Sequence, residues 1–358
     1  MEDLRNEFPV LSKYTYLNTA SCGLISKSLL DWRREHDKNL WEDASIFRDL
    51  HKAHIKSIRD TVARFMGAGE NEVALVPNFS FGLNTLLEGI QKKQKVLLLD
   101  RDYPSINWAF ETRDFEICYA SISTDPEANI EQAVVQHQPD IFAFSLVQYL
   151  NGIKIDIEFL KQLKAYHPNL LLIADGTQYL GTEAFNFNDS PLDILGASCY
   201  KWLLAGYGNG VFMVKEAVQD AFSLSTIGFN SADATYGKKG EIPFMKHFEP
   251  GHQDTLNYGS LEQALQFLDG MGMDVVSERV SEISKKATDR FIELGLLEEV
   301  VVNRKEHSNI FNIQGDAVLF QKLRDKGIIC SLRDKGIRVS FHFYNTESDL
   351  DRLCCLLA

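Results

Sequence analysis

"LLLIADGTQ", residues 170–178, is the stretch whose reading decides the fold. Leu170 to Ala174 are apolar without alternation and run straight into Asp175, with Gln178 three residues on. A strand covered on both faces reads this way, whereas a half-exposed strand alternates. Runs of the same kind recur as "EVALVP" from 72, "KVLLLD" from 95, "FEICYASI" from 115, "IFAFSLV" from 141 and "VFMVK" from 211. Segments of helical period separate them, at about 81–91, 127–137 and 156–166, so the pattern predicts an α/β fold on a mainly parallel sheet.

In such a sheet, ligands bind beyond the carboxyl ends of the strands, which is where this pattern places Asp175. An Asp there also caps ordinary turns. Twenty-six residues later, "ASCYKWLLAGYGNG" (197–210) sets Lys201 among Cys199, Tyr200, Trp202 and Leu203. A lysine so framed either snorkels to water or has a partner that removes its charge. An Asp and a Lys on neighbouring strand ends are the pair that pyridoxal phosphate requires. The amine forms a Schiff base with the aldehyde, and the carboxylate keeps the pyridine nitrogen protonated. The phosphate also needs a seat. "NFSFGLNTLLEGI" from 78 follows a strand and opens a helix, so the backbone N–H groups near Phe79 and Ser80 and the Ser80 hydroxyl can meet an anion. Ser80 would serve equally as a plain N-cap.

Composition narrows the class. The chain has 358 residues and a formal charge of −13, which argues against a nucleic-acid or anionic-membrane surface. The opening "MEDLRNEFPVL" lacks an apolar h-region, and no run approaches the ~18 apolar residues of a membrane span. A soluble, cytoplasmic protein is expected. Six cysteines, at 22, 118, 199, 330, 354 and 355, form no CxxC pair and fit reduced thiols; no metal spacing is present.

The length exceeds one ordinary core, and the rhythm changes near Phe248. Beyond it come helical stretches at about 257–270 and 273–296. An expected hairpin then follows: strand "GIICSLR", three-residue turn "DKG", strand "IRVSFHFYN". The expected division is a large domain over 15–250 and a small domain over 251–358 joined by 1–14. "LRDKGI" occurs at 323 and at 332; turn chemistry at Gly327 and Gly336, both expected at positive φ, is sufficient reason.

In order, "YLNTAS", "NFSFGLN", "DYPSINW", "ADGTQYLG", "SCYKWLLAGYGNGVF", "FEPGHQD" and "IRVSFHFYNTESDLDRL" span nearly the whole chain. This succession resembles the class V aminotransferases, the cysteine desulfurase-like or selenocysteine lyase-like family of fold-type I pyridoxal-phosphate enzymes. The resemblance implies a mainly parallel seven-stranded sheet in the large domain, a smaller α+β C-terminal domain, and a homodimer with shared active sites. It also implies that Lys201 carries the cofactor, Asp175 pairs with the pyridine nitrogen and Gln178 bonds the phenolic oxygen. Ser80, Ser198 and Tyr200 would hold the phosphate, Tyr200 standing where many members have His. Tyr103 would stack over the cofactor and Gln148 lie near its ring. His252, in place of the usual Thr, would reach the neighbouring subunit's cofactor phosphate.

Arg338 alternates with Ile337 and Val339, the pattern of a solvent-facing strand residue. The resemblance instead implies that it grips the substrate α-carboxylate by a planar pair of hydrogen bonds. His342 and Asn345 read as structural. Cysteine desulfurases need a cysteine on a mobile loop before that Arg strand. Cys330 lies inside a strand close to the turn, so it reads as a small buried hydrophobe, as do Cys354 and Cys355. The expected function is pyridoxal-phosphate chemistry on a free α-amino acid, nominally transamination, with C–S lyase and isopenicillin N epimerase-like chemistry sharing the same first step. Cysteine desulfurase or selenocysteine lyase activity is the alternative. A non-enzymatic relative would need neither Asp175 nor Lys201.

Overall fold

The structure, a computed structural model, describes every residue except 1, 91–92, 124, 233–234, 239 and 358. The strands in chain order are β1 Thr15–Tyr16, β2 Val73–Val76, β3 Lys95–Leu99, β4 Glu116–Ala120, β5 Ile141–Ser145 and β6 Leu171–Asp175. They continue as β7 Ile194–Ser198, β8 Gly210–Val214, β9 Ile310–Gln314, β10 Ile328–Ile329, β11 Ser331–Arg333 and β12 Gly336–Ser340. Seven of them form the main sheet in the order β2-β8-β7-β6-β5-β3-β4. The sheet is parallel except at β8, which is antiparallel to both β2 and β7. The β7–β8 connection contains no helix, so the chain doubles back beside the strand it has just left.

Unbroken apolarity in these strands has the expected cause. On β2, Val73 and Leu75 join the core on one face, while Ala74 and Val76 join the core on the other. Helices Phe79–Glu88 and Pro104–Glu111 cover the second face; His51–Met66, Pro126–His137 and Ile157–Tyr166 cover the first. β4 departs from this reading. It is an edge strand, paired only with β3, and its Glu116 and Tyr119 are exposed.

The C-terminal region contains helices Thr255–Met271 and Met273–Glu293, the three-stranded antiparallel sheet β11-β12-β9, and helix Glu347–Leu357. Helix Thr255–Met271 also lies against the N-terminal helices: Arg33 bonds Ser260 and Thr61 bonds Glu262. The N-terminal segment is tied to the C-terminal one. Arg5 reaches the Tyr344 carbonyl and the Asp349 carboxylate, Phe8 packs on Phe267 and Tyr344, and β1 pairs with β10.

Three details of the expected hairpin are corrected. "GIICSLR" is not one strand: β10 pairs in parallel with β1, β11 pairs with β12 in another sheet, and Cys330 is the break between them. The turn has two residues, Asp334 and Lys335, because Arg333 stands opposite Gly336. Positive φ falls on Asp334 (48°) and not on Gly336. Gly336 is required for a different reason: a Cβ there would lie 2.7 Å from the Ile313 carbonyl on β9. Gly327 does adopt positive φ, 76°. No described helix is long and apolar enough to cross a membrane. All six cysteines are free, and no acidic, His or Cys cluster among the described residues is arranged for a metal.

Candidate active site

The carboxyl ends of β2, β5, β6 and β7 open on a cavity of about 180 Å³. Asp175 ends β6 and Ser198 ends β7; Lys201 follows in a tight turn closed by Leu204 N–H donating to the Lys201 carbonyl. Leu204 takes a left-handed φ of 58°, uncommon for a residue with a branched side chain, and so holds strain beside Lys201. The N-terminal loop clamps this turn from outside. Gly23 N–H donates to the Tyr200 carbonyl, and a Cβ on Gly23 would lie 1.9 Å from the Lys201 oxygen.

Lys201 is 6% exposed and makes no ion pair within 4 Å among the described residues. Its Nζ sits 5.9 Å from the Tyr103 ring centre and 5.5 Å from that of Tyr200. Burial lowers its pKa to about 8; Asp175 opposes the shift, while Arg338 and Arg333 add to it. Asp175 is 5% exposed, and burial raises its pKa to about 6 against the hydrogen bond from Thr177. A chain of bonds then crosses the sheet edge. Thr177 N donates to Asp175 Oδ1 (2.8 Å), Ser198 N to Thr177 Oγ1 (3.0 Å), and Phe79 N to Ser198 Oγ (3.0 Å).

The helix opening at Phe79 is capped by Asn78, whose Oδ1 accepts from Phe81 N. Ser80 is therefore not the cap. Its hydroxyl donates to Ser105 Oγ (2.9 Å), and both line the cavity. Tyr200 lines it too, its ring stacked at 4.6 Å on Tyr207 and its phenol pushed up to about 12 by burial. Gln178 reaches the cavity with its amide already oriented: Trp202 Nε1 donates to its oxygen and its nitrogen donates to the Ala20 carbonyl, which leaves one N–H free.

Arg338 is 3% exposed, contrary to a solvent-facing reading. Nη1 donates to the Tyr149 carbonyl (2.6 Å) and Nη2 to Ser21 Oγ, while Nε is buried without a partner. No carboxylate pairs with it among the described residues. Tyr149, whose carbonyl it binds, lines the cavity with its ring edge-on to Tyr103.

Besides Arg338, which reaches the cavity only through Tyr149, two expected residues are not in this cavity. The Gln148 side chain turns to the other side of the strand end, beside buried Asp102, and lines a separate crevice with Arg101 and Asn312. Successive residues past a strand end point to opposite sides, so Val147 and Tyr149 face the cavity and Gln148 does not. His252 is exposed and stacks on Phe229 at 5.1 Å, outside this chain's own cavity. His342 and Asn345 have structural partners: His342 Nε2 meets the Trp202 carbonyl, and Asn345 binds the Tyr16 carbonyl and the His342 N–H. The sequence reading missed Asn78, Tyr149 and Thr177, each just beyond a strand end where the strand-end rule points, and Ser105 in the first turn of the helix after β3. It also missed Ser21, although Ser21 closes the quoted "YLNTAS" segment.

This set suits pyridoxal phosphate. A buried amine without an ionic partner can bond an aldehyde, a buried carboxylate faces the same space, and hydroxyls gather at a helix N-terminus for a phosphate. A model of the family described as aminotransferase class-V matches residues 34–353. The chain belongs to that family. It is a pyridoxal-phosphate-dependent enzyme of fold type I.

Relatives of this class-V family member cover nearly all of it. An uncharacterized aminotransferase of Bacillus subtilis is 22% identical over 98% of the chain and 95% of its own length. Isopenicillin N epimerase of Amycolatopsis lactamdurans is 23% identical, covering 95% and 93%. A probable cysteine desulfurase of Pyrococcus abyssi is 21% identical, covering 98% and 95%. Among solved structures, the cystine C–S lyase C-DES in complex with cysteine persulfide superposes with a TM-score of 0.87 at 18% identity, over 98% of both chains. The apo cysteine desulfurase of Thermococcus onnurineus gives 0.86 at 18% identity, over 99% of this chain and 96% of its own.

The two perturbed groups also predict a pH dependence. Raising Asp175 from 3.8 to about 6 costs the fold stability that is fully felt above pH 6. Lowering Lys201 from 10.5 to about 8 costs stability that is fully felt below pH 8 and fades toward 10.5. Lys201→Met/Asp175→Asn is therefore expected to stabilise the cofactor-free protein, because neither replacement carries a charge that burial penalises. The gain should be greatest between pH 6 and 8. Urea unfolding across pH 4–10 measures it, and a flat or negative difference would refute the assignment.

Proposed function

We propose that this enzyme transaminates a free α-amino acid, with Lys201 carrying the cofactor and moving the Cα proton. The supporting observation is Arg338: a buried guanidinium without a carboxylate, one residue removed from the Lys201 cavity, suits the α-carboxylate of an unblocked amino acid. Bound cofactor supplies an electron sink for the charge left at Cα. Near neutral pH an amine with pKa about 8 both accepts and returns a proton readily. In this reading Asp175 pairs with the pyridine nitrogen and Gln178 donates its free N–H to the phenolic oxygen. Ser80, Ser198, Tyr200 and the backbone at Phe79 hold the phosphate, and Tyr103 covers the ring.

The same proposal includes a homodimer in which His252, outside its own chain's cavity, serves the neighbouring subunit's phosphate; sedimentation showing an active monomer would refute it. It keeps the division into 15–250 and 251–358 with 1–14, and a cytoplasmic setting.

Against desulfurase chemistry stands Cys330, 6% exposed, its thiol pushed up to about 11 by burial. A thiol so protonated, between two paired strands, is a poor travelling nucleophile. C–S lyase-type elimination is the second reading, because it begins with the same proton removal. The test is to give the holoenzyme cysteine without reductant. The amine form of the cofactor indicates transamination, and released pyruvate indicates elimination. Cys330→Ser is expected to stay within a few-fold of wild type; a stoichiometric persulfide on Cys330 would restore the desulfurase reading.

A further inference from the structure

We propose that Arg333 is a second anion-binding residue at this site, and that the preferred substrate is an amino acid whose side chain ends in a carboxylate. The inference rests on Arg338 as the α-carboxylate anchor and adds a specificity to it.

The hairpin register places Arg333. Ser331 stands directly opposite Arg338, and opposed residues on an antiparallel pair share a face. That face looks toward the site: Ser331 and Arg338 both bond the Ser21 hydroxyl, and Ser331 also bonds Asn18. Arg333 is two residues along β11, so it projects from the same face. Its own cross-strand neighbour is Gly336, which has no side chain to cover it.

Arg333 is exposed and has no carboxylate within ion-pair distance among the described residues, although the chain carries 50 acidic residues against 37 Lys and Arg. Its hydrogen bond is a long one, 3.4 Å to the Leu332 carbonyl of its own strand. Its charge acts on Lys201, Arg338 and Tyr149, which places it in the field of the site. One α-carboxylate on Arg338 leaves Arg333 uncompensated. A second anion at the far end of the substrate completes the pairing, and a neutral side chain leaves that cation without a partner.

The test titrates the holoenzyme with L-glutamate against L-glutamine and L-aspartate against L-asparagine, reading the cofactor absorbance. These pairs match in size and differ in charge. The acid is expected to bind about tenfold or more tighter than its amide in at least one pair, as suits a charge-assisted contact. Arg333→Gln should bring that ratio to within about threefold, Arg333→Lys should keep part of it, and added salt should shrink it because the residue is exposed. No preference in either pair, or a preference that survives Arg333→Gln, would overturn the proposal. Arg338→Lys separates the two readings. If it weakens all four amino acids alike, the α-carboxylate anchor stands, whatever Arg333 does; if it leaves all four unchanged, the anchor itself is wrong and the inference falls with it.

Discussion

Lys201→Ala is expected to lower turnover by at least about 10²–10⁴-fold, the range for losing a positioned proton-transfer group, and to abolish covalent cofactor attachment. The expectation follows from a single amine in the cavity. Lys201 is buried between the Tyr103 and Tyr200 rings and shares the space with Asp175, and no other lysine among the described residues lines that cavity. Borohydride reduction of the wild-type holoenzyme followed by peptide mass spectrometry should therefore place the adduct on Lys201 alone, and the variant should show none. An adduct on another lysine would remove the assignment. Noncovalent cofactor can remain in the variant, because Asp175, Ser80, Ser198 and Tyr200 are untouched.

Arg338→Lys is expected to raise KM by about 10- to 150-fold, the equivalent of a lost charge-assisted contact worth about 1.5–3 kcal/mol. Lysine keeps the charge but lacks the planar fork, so it cannot hold the Tyr149 carbonyl and Ser21 while presenting a second edge to a carboxylate. The α-carboxylate is bound alike before and during proton removal, so the loss should fall on KM and leave kcat nearly unchanged. Cofactor content and melting temperature are the companion measurements. A variant that unfolds or loses cofactor would show that Arg338 serves the fold, with its role in binding withdrawn.

The parts of this site that could be read along the chain share one property: their signal is local. Apolar runs that do not alternate report strands buried on both faces, and a polar residue closing such a run lies at the ligand-binding edge of the sheet. Asp175 closes such a run and Lys201 follows another strand end, whereas Ser198 came only from the family resemblance. Arg338 was legible as a residue and not as an environment, because its strand has polar positions on one face that are buried by the distant segment around Ser21.

Elsewhere, local signals misled or were silent. Gln148 and Tyr149 differ by one position, and only the path of the chain after β5 decided which of them faces the cavity. Ser80 and Asn78 both suit a helix N-terminus; the helix starts so that Asn78 caps it, leaving the Ser80 hydroxyl turned toward Ser105. The run around Cys330 looked like one strand because apolarity does not say which neighbour a strand will find, and β1 and β12 claimed different halves of it.

By itself, then, the order of residues determined the sheet, the strand-end pair of Asp175 and Lys201, and the apolar character of their surroundings. These follow from chain-local patterning and the burial it enforces. Tertiary structure alone decided that residues 18–23 close over Lys201 and Arg338, that Arg338 has no acid of its own among the described residues, and that Arg333 faces the same site. Each of these depends on segments some 180 to more than 300 residues apart being brought within hydrogen-bonding range, or on the pairing register of a two-residue turn, and neither is written in any one stretch.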